Sequence, residues 1–156
     1  MGRAIIPTSR ICIVTDVPAE RLWARLSEYG TWGEWISSLT ESNIEGHDAA
    51  NVPVGAVRAV GVQGNPRTRE RLVACDEVAR VISYMVVEPP AWRFPARRYR
   101  GTARVLALTD RVGSVIEWSG AYDCDAKDEA FLDELLTGLY TSFVEGVIRK
   151  ASEEAP

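Results

Sequence analysis

The stretch Arg67-Thr68-Arg69-Glu70-Arg71-Leu72 alternates strictly, and as a strand it places three arginines on one face. Three neighbouring arginines meet water, so Thr68, Glu70, Leu72 and Ala74 point inward. A lone carboxylate turned toward an apolar interior is costly, so Glu70 needs a partner or a wet cavity. Upstream, Ser9–Thr15 alternates and is β-branched, which predicts a first strand. Asp16 is placed to cap a following helix, with Pro18 and Glu20 in its first turn and Leu22, Trp23, Leu26 and Tyr29 at helical spacing. Gly30 stops that helix, and a second short one carries Trp32, Trp35 and Ile36.

A run of strands follows: Ser42–Gly46, Gly55–Gln63, Arg67–Cys75 and Ala79–Glu88, with Gly64-Asn65-Pro66 as the turn between the second and third of these. Pro89, Pro90 and Pro95 break the chain into a loop that exposes Trp92 and Phe94. Arg97–Thr109 and Gly113–Asp123 form a hairpin around Asp110-Arg111-Val112. The last element, Ala126–Ala151, sets Leu132, Leu135, Leu136, Leu139, Tyr140, Phe143 and Val147 on one face of an amphipathic helix. Gly138 and Gly146 weaken that helix or make room where it approaches the sheet or a ligand.

Strand, two short helices, a run of antiparallel strands and a long helix make an α+β fold, with the helix laid across a curved sheet and a gap between them. Parity shows which side chains face the gap. A first hairpin centred on Gly64 sets Arg58 opposite Glu70, sharing the inner face with Ala56, Val60 and Leu72. In the last hairpin Arg98, Arg100 and Arg104 face solvent, while Tyr99, Gly101, Ala103 and Val105 face in. Symmetric pairing sets Val105 opposite Trp118, Gly101 opposite Tyr122 and Asp123 opposite Arg100, so Ser114, Ile116, Trp118, Gly120 and Tyr122 also face in. Ile82, Tyr84 and Val86 are the inward set of the middle strand.

A length of 156 residues fits one domain, and a net charge of −4 argues against general nucleic-acid binding. No membrane span or secretory leader is recognisable, which gives a cytoplasmic expectation. Cys12, Cys75 and Cys124 are too scattered for a disulfide or zinc framework. His47 is the only histidine, so neither a metal site nor a Cys-His dyad is expected, and no cofactor is implied.

Arg58 and Glu70 can anchor a ligand carbonyl or carboxylate, or form a structural ion pair. Tyr84, Tyr99, Tyr122 and Tyr140 can donate to a substrate oxygen, or pack with their hydroxyls satisfied internally. Trp35, Trp92 and Trp118 can stack on an aromatic or polyene ligand. Trp118 also suits the core, and Trp92 suits a gate. Arg67, Arg69, Arg71, Arg98, Arg100 and Arg104 form an outward stripe that is either a solvated face or a docking surface for an acidic partner.

Val17-Pro18-Ala19-Glu20-Arg21-Leu22-Trp23, Trp35, Val54-Gly55-Ala56-Val57-Arg58, Arg69-Glu70-Arg71-Leu72, Tyr84 and Val115-Ile116-Glu117-Trp118, in this order, resemble the START-like, helix-grip (SRPBCC) superfamily, nearest its polyketide cyclase/dehydrase branch. The resemblance spans about Ser9 to Lys150 and implies a seven-stranded antiparallel sheet gripping the C-terminal helix around a deep hydrophobic pocket. It also implies a hydrophobic, oxygenated ligand (a polyketide, lipid or aromatic), held by a monomer or homodimer. The protein is then either a cofactor-free cyclase or dehydratase, served by an acyl carrier protein, or a carrier or sensor without catalysis. In the enzyme reading Arg58 polarises a carbonyl with Glu70 orienting it, Tyr84 or Tyr99 relays a proton, and Trp35 and Trp118 shape the chain. A protein-interaction module with an incidental cavity is the third possibility.

Overall fold

The computed structural model describes residues 9–63, 65–88 and 93–153. Strand β1 (Ser9–Thr15) leads into α1 (Ala19–Leu26) and a 3-10 helix (Tyr29–Glu34). Six strands follow: β2 (Leu39–Ile44), β3 (Val57–Val62), β4 (Thr68–Asp76), β5 (Val81–Glu88), β6 (Arg97–Ala107) and β7 (Ser114–Asp123). A 3-10 turn (Ala126–Asp128) starts the long helix α2 (Glu129–Glu153).

The strands make one antiparallel sheet in the order β1-β7-β6-β5-β4-β3-β2. Its concave face is apolar by alternation: Ile82 and Tyr84 on β5, Ala103 and Val105 on β6, and Ile116 and Trp118 on β7 are all buried. α2 lies against β1, β7 and α1. Leu132, Leu136, Leu139, Tyr140, Phe143, Val144 and Val147 recur every three or four residues and form its buried face. Each such side chain contributes about 1.5–3 kcal/mol by leaving water. No helix among the described residues is long and apolar enough to cross a membrane.

The first hairpin has the expected register, with Arg58 directly opposite Glu70. The last one is displaced by two residues: Val105 faces Ile116, Ala103 faces Trp118 and Gly101 faces Gly120. The cause lies in the connection, which closes as Ala107 opposite Ser114 with Leu108 N–H on the Gly113 carbonyl, and Gly113 takes φ +141°. A shift of two preserves parity, so every inward residue stays inward. Near the other end Arg98 adopts φ +51°, and the Arg98-Tyr99 pair bulges opposite Tyr122. Asp123 therefore faces Arg97 rather than Arg100, and its carboxylate pairs with Arg98.

Other boundaries also move. The N-cap of α1 is Pro18, whose carbonyl receives the Arg21 and Leu22 N–H groups, so Asp16 sits too early to cap. β2 starts at Leu39 and not Ser42, with an irregular step between Leu39 and Glu41 that masks its period. Trp35 and Ile36 lie just beyond the second helix, which ends at Glu34. Gly64, Pro89, Pro90 and Trp92 lie outside the described residues. Phe94, expected on the surface, is half-buried and meets the Tyr99 ring edge-on at 5.4 Å between centroids. Of the two helical glycines, Gly146 makes room, because a β-carbon there would strike the Trp35 backbone carbonyl, whereas Gly138 has open space beside it.

Candidate ligand site between the helix and the sheet

A small cavity lies between α2 and the concave face, with about 40 Å³ open to water centres. That is room for a few waters and no more. Val62, Thr68 and Glu70 line it from β3 and β4, Tyr84 and Val86 from β5, and Phe94 and Tyr99 from the β6 side. Leu136, Leu139, Tyr140 and Phe143 close it from α2. The gap is therefore present but tight, and a ring-sized ligand enters only by displacing lining side chains.

Arg58 is only 2 % exposed and stands behind Glu70 rather than on the cavity wall. Its Nη2 donates to Glu70 Oε2 at 2.7 Å, and its Nη1 donates to the Tyr29 carbonyl at 3.2 Å. The guanidinium also faces the Tyr29 ring at 4.1 Å and the Trp32 ring at 4.8 Å. A desolvated cation over an aromatic face gains about 2 kcal/mol, which helps to offset the burial. Burial works against the charge, but Tyr29 and Glu70 outweigh it and hold the Arg58 pKa above the ordinary value. Arg58 Nε and Thr68 Oγ1 are buried with no hydrogen-bond partner among the described residues.

The tyrosines form a second polar group. Tyr99 and Tyr140 hydroxyls lie 2.6 Å apart, and the Tyr84 hydroxyl accepts from Trp118 Nε1 at 3.1 Å. Burial pushes the pKa values of Tyr84, Tyr99 and Tyr140 well above the usual phenol range, so all three are protonated at neutral pH. Two glycines make this cluster possible. Gly101 and Gly120 face each other across β6 and β7, a β-carbon at 101 would collide with the Tyr84 ring, and one at 120 would collide with the Tyr140 hydroxyl.

Of the residues singled out from the sequence, Glu70, Tyr84, Tyr99 and Tyr140 meet at the cavity. Arg58 supports Glu70 from behind, and Trp118 supports Tyr84 while packing on Phe143 and Tyr140. Tyr122 stacks on Tyr99 but lies off the lining, and its hydroxyl shares a 2.8 Å hydrogen bond with Ser9 Oγ. Trp35 is buried beneath α2 beside Trp32, also off the lining. Trp92 lies outside the described residues. Phe94, Leu136, Leu139 and Phe143 were not singled out as site residues. Helical spacing marked the α2 residues as apolar, and only the packed structure shows which of them face the gap. On the convex side Arg67, Arg69 and Arg98 pair with Glu41, Glu45 and Asp123, which neutralises half of the arginine stripe.

Solved structures share this fold. A protein from Nitrosospira multiformis superimposes with a TM-score of 0.73 at 24% identity, covering 88% of this chain and 91% of its own. A protein from Thermobifida fusca gives a TM-score of 0.77 at 22% identity over 92% and 91% of the two chains. Truncated norcoclaurine synthase from Thalictrum flavum gives a TM-score of 0.74 at 15% identity over 94% and 93%. At these identities the likeness is one of fold, here the helix-grip arrangement of a seven-stranded antiparallel sheet and a long C-terminal helix. No curated protein matches the chain in sequence. The model of the family described as polyketide cyclase / dehydrase and lipid transport matches residues 9–152, and this chain belongs to that family.

Proposed function

We propose that this chain binds a hydrophobic, oxygenated small molecule (a polyketide, lipid or aromatic) between α2 and the concave face of the sheet. One observation carries the reading: a buried carboxylate backed by an arginine, one threonine and a cluster of protonated tyrosine hydroxyls are set among otherwise apolar cavity walls. The volume is small, so binding opens the site by displacing apolar lining side chains such as Phe94, Leu136, Leu139 or Phe143.

Within this reading the chemistry is cofactor-free cyclisation or dehydration. The family description names cyclase and dehydrase activities, and norcoclaurine synthase, a fold neighbour, has been solved with a transition state analogue. Tyr84 and Tyr99 keep their protons and can polarise a substrate oxygen by hydrogen bonding, Glu70 is the candidate proton acceptor, and Arg58 positions Glu70. Trp118 holds Tyr84 in place. An acyl carrier protein delivering such a substrate would meet Arg71, Arg100 and Arg104, which carry no ion pair among the described residues. The second reading is a non-catalytic carrier or sensor, favoured by how fully the tyrosines satisfy one another.

Native mass spectrometry of the purified protein tests the ligand-binding reading: a copurified small molecule of this class is expected, and saturable binding absent across polyketides, lipids and aromatics would refute it. Tyr84→Phe then separates the two versions. An enzyme loses turnover while still binding its ligand, whereas a carrier changes in affinity alone.

A further inference from the structure

Resting on that ligand-binding reading, we infer that the site selects a ligand whose head group donates hydrogen bonds, an amine or an alcohol, and rejects a carboxylate. Among the described residues lining the cavity, Glu70 is the one charged side chain. Its Oε2 is held by Arg58, while its Oε1 has no partner among the described residues. Beside it the Thr68 hydroxyl is fully buried and has no partner among the described residues, and the Glu70 side chain is 11% exposed. Glu70 Oε1 is unspent hydrogen-bonding capacity at the cavity, and the Thr68 hydroxyl is a second unspent group on a lining residue, whereas Tyr84, Tyr99 and Tyr140 are engaged with one another or with Trp118.

The guanidinium that a carboxylate ligand would seek is out of reach. Nη2 of Arg58 is spent on Glu70 and Nη1 on the Tyr29 carbonyl, the remaining Nε is fully buried, the rings of Tyr29 and Trp32 cover the group, and the side chain does not line the cavity. A ligand therefore meets a carboxylate oxygen first and the cation only beyond it. An acid entering the site sets two carboxylates against each other in a low-dielectric interior, whereas an amine or alcohol completes Glu70 with a charge-assisted hydrogen bond, and Thr68 accepts or donates a second. Arg58 is thus a positioning residue for Glu70, and Glu70 with Thr68 sets specificity.

The test uses the whole protein and four ligands of one shape: 2-naphthylmethylamine, 2-naphthalenemethanol, 2-naphthoate and 2-methylnaphthalene, titrated by calorimetry near neutral pH. The amine and the alcohol are expected to bind at least about tenfold tighter than the acid. Glu70→Gln should level the amine against the alcohol, and Thr68→Val should weaken the alcohol while leaving 2-methylnaphthalene unchanged. Should Glu70→Gln fail to fold, the wild-type series and Thr68→Val decide alone. If the acid binds as tightly as the amine, or tighter, this inference is wrong while the ligand-binding reading stands. If none of the four binds, 2-methylnaphthalene included, the inference is overturned, and the ligand-binding reading then stands or falls on the native mass spectrometry and the wider ligand series.

Discussion

At the residue scale the interior is organised by one ion pair with aromatic walls. Arg58 and Glu70 sit opposite each other on β3 and β4, and Tyr29 and Trp32 press on the guanidinium from the 3-10 helix. Losing one member strands the other as a buried charge. Glu70→Leu alone should therefore destabilise the protein by about 3–5 kcal/mol, and the double variant Arg58→Met/Glu70→Leu by much less. Urea midpoints at constant m-value measure both, and a double variant no better than the single one would show that the pair is not the cause. The pair was legible in the sequence because alternation and a single turn fix both parity and partner. Its aromatic walls were not, since Tyr29 and Trp32 reach it through tertiary packing of a segment with no strand register. The position of Arg58 behind Glu70 was likewise invisible: parity distinguishes the two faces of a sheet but not depth on one face.

At the element scale, α2 carries two glycines of opposite character. Gly138 is exposed in mid-helix, and a β-carbon there would meet nothing within 4 Å, whereas Gly146 lies against the backbone of Trp35 and Ile36. Gly138→Ala should therefore stabilise the protein by about 0.5–1 kcal/mol through helix propensity. Gly146→Ala should destabilise it by about 1–3 kcal/mol through overpacking. Thermal melts of the two variants should move in opposite directions, and a shared direction would contradict the packing described. Spacing alone predicts the amphipathic face of α2 but treats both glycines alike, because each is read without its neighbour. The same limit applies to the last hairpin. Its two strands follow from alternation, but its register depends on how Gly113 closes the connection and on the bulge at Arg98, which alternation does not encode.

At the scale of the whole molecule, buried phenols link stability to pH. Tyr29, Tyr84, Tyr99 and Tyr140 are all held above the ordinary phenol range, chiefly by burial. Below the unfolded-state pKa of about 10, folded and unfolded chains bind the same phenolic protons and stability is at its full value. Above it the unfolded chain releases protons that the folded one keeps, so stability falls by up to about 1.4 kcal/mol per pH unit for each tyrosine. Denaturation midpoints should drop steeply above about pH 10, and Tyr99→Phe should make the drop shallower. Phenolate absorbance from all the tyrosines near pH 10 in the still-folded protein would contradict this.

The facing pair Gly101 and Gly120 sets the direction in which the interior yields. On the strand side the phenol rings rest on bare main chain, which is hydrogen-bonded on both flanks and has no side chain left to move aside. On the opposite side the boundary consists of the rotatable ends of Leu136, Leu139, Phe143 and Phe94. A guest bound as proposed would be seated against a rigid anvil, and the room it needs would be won outward, from the helix.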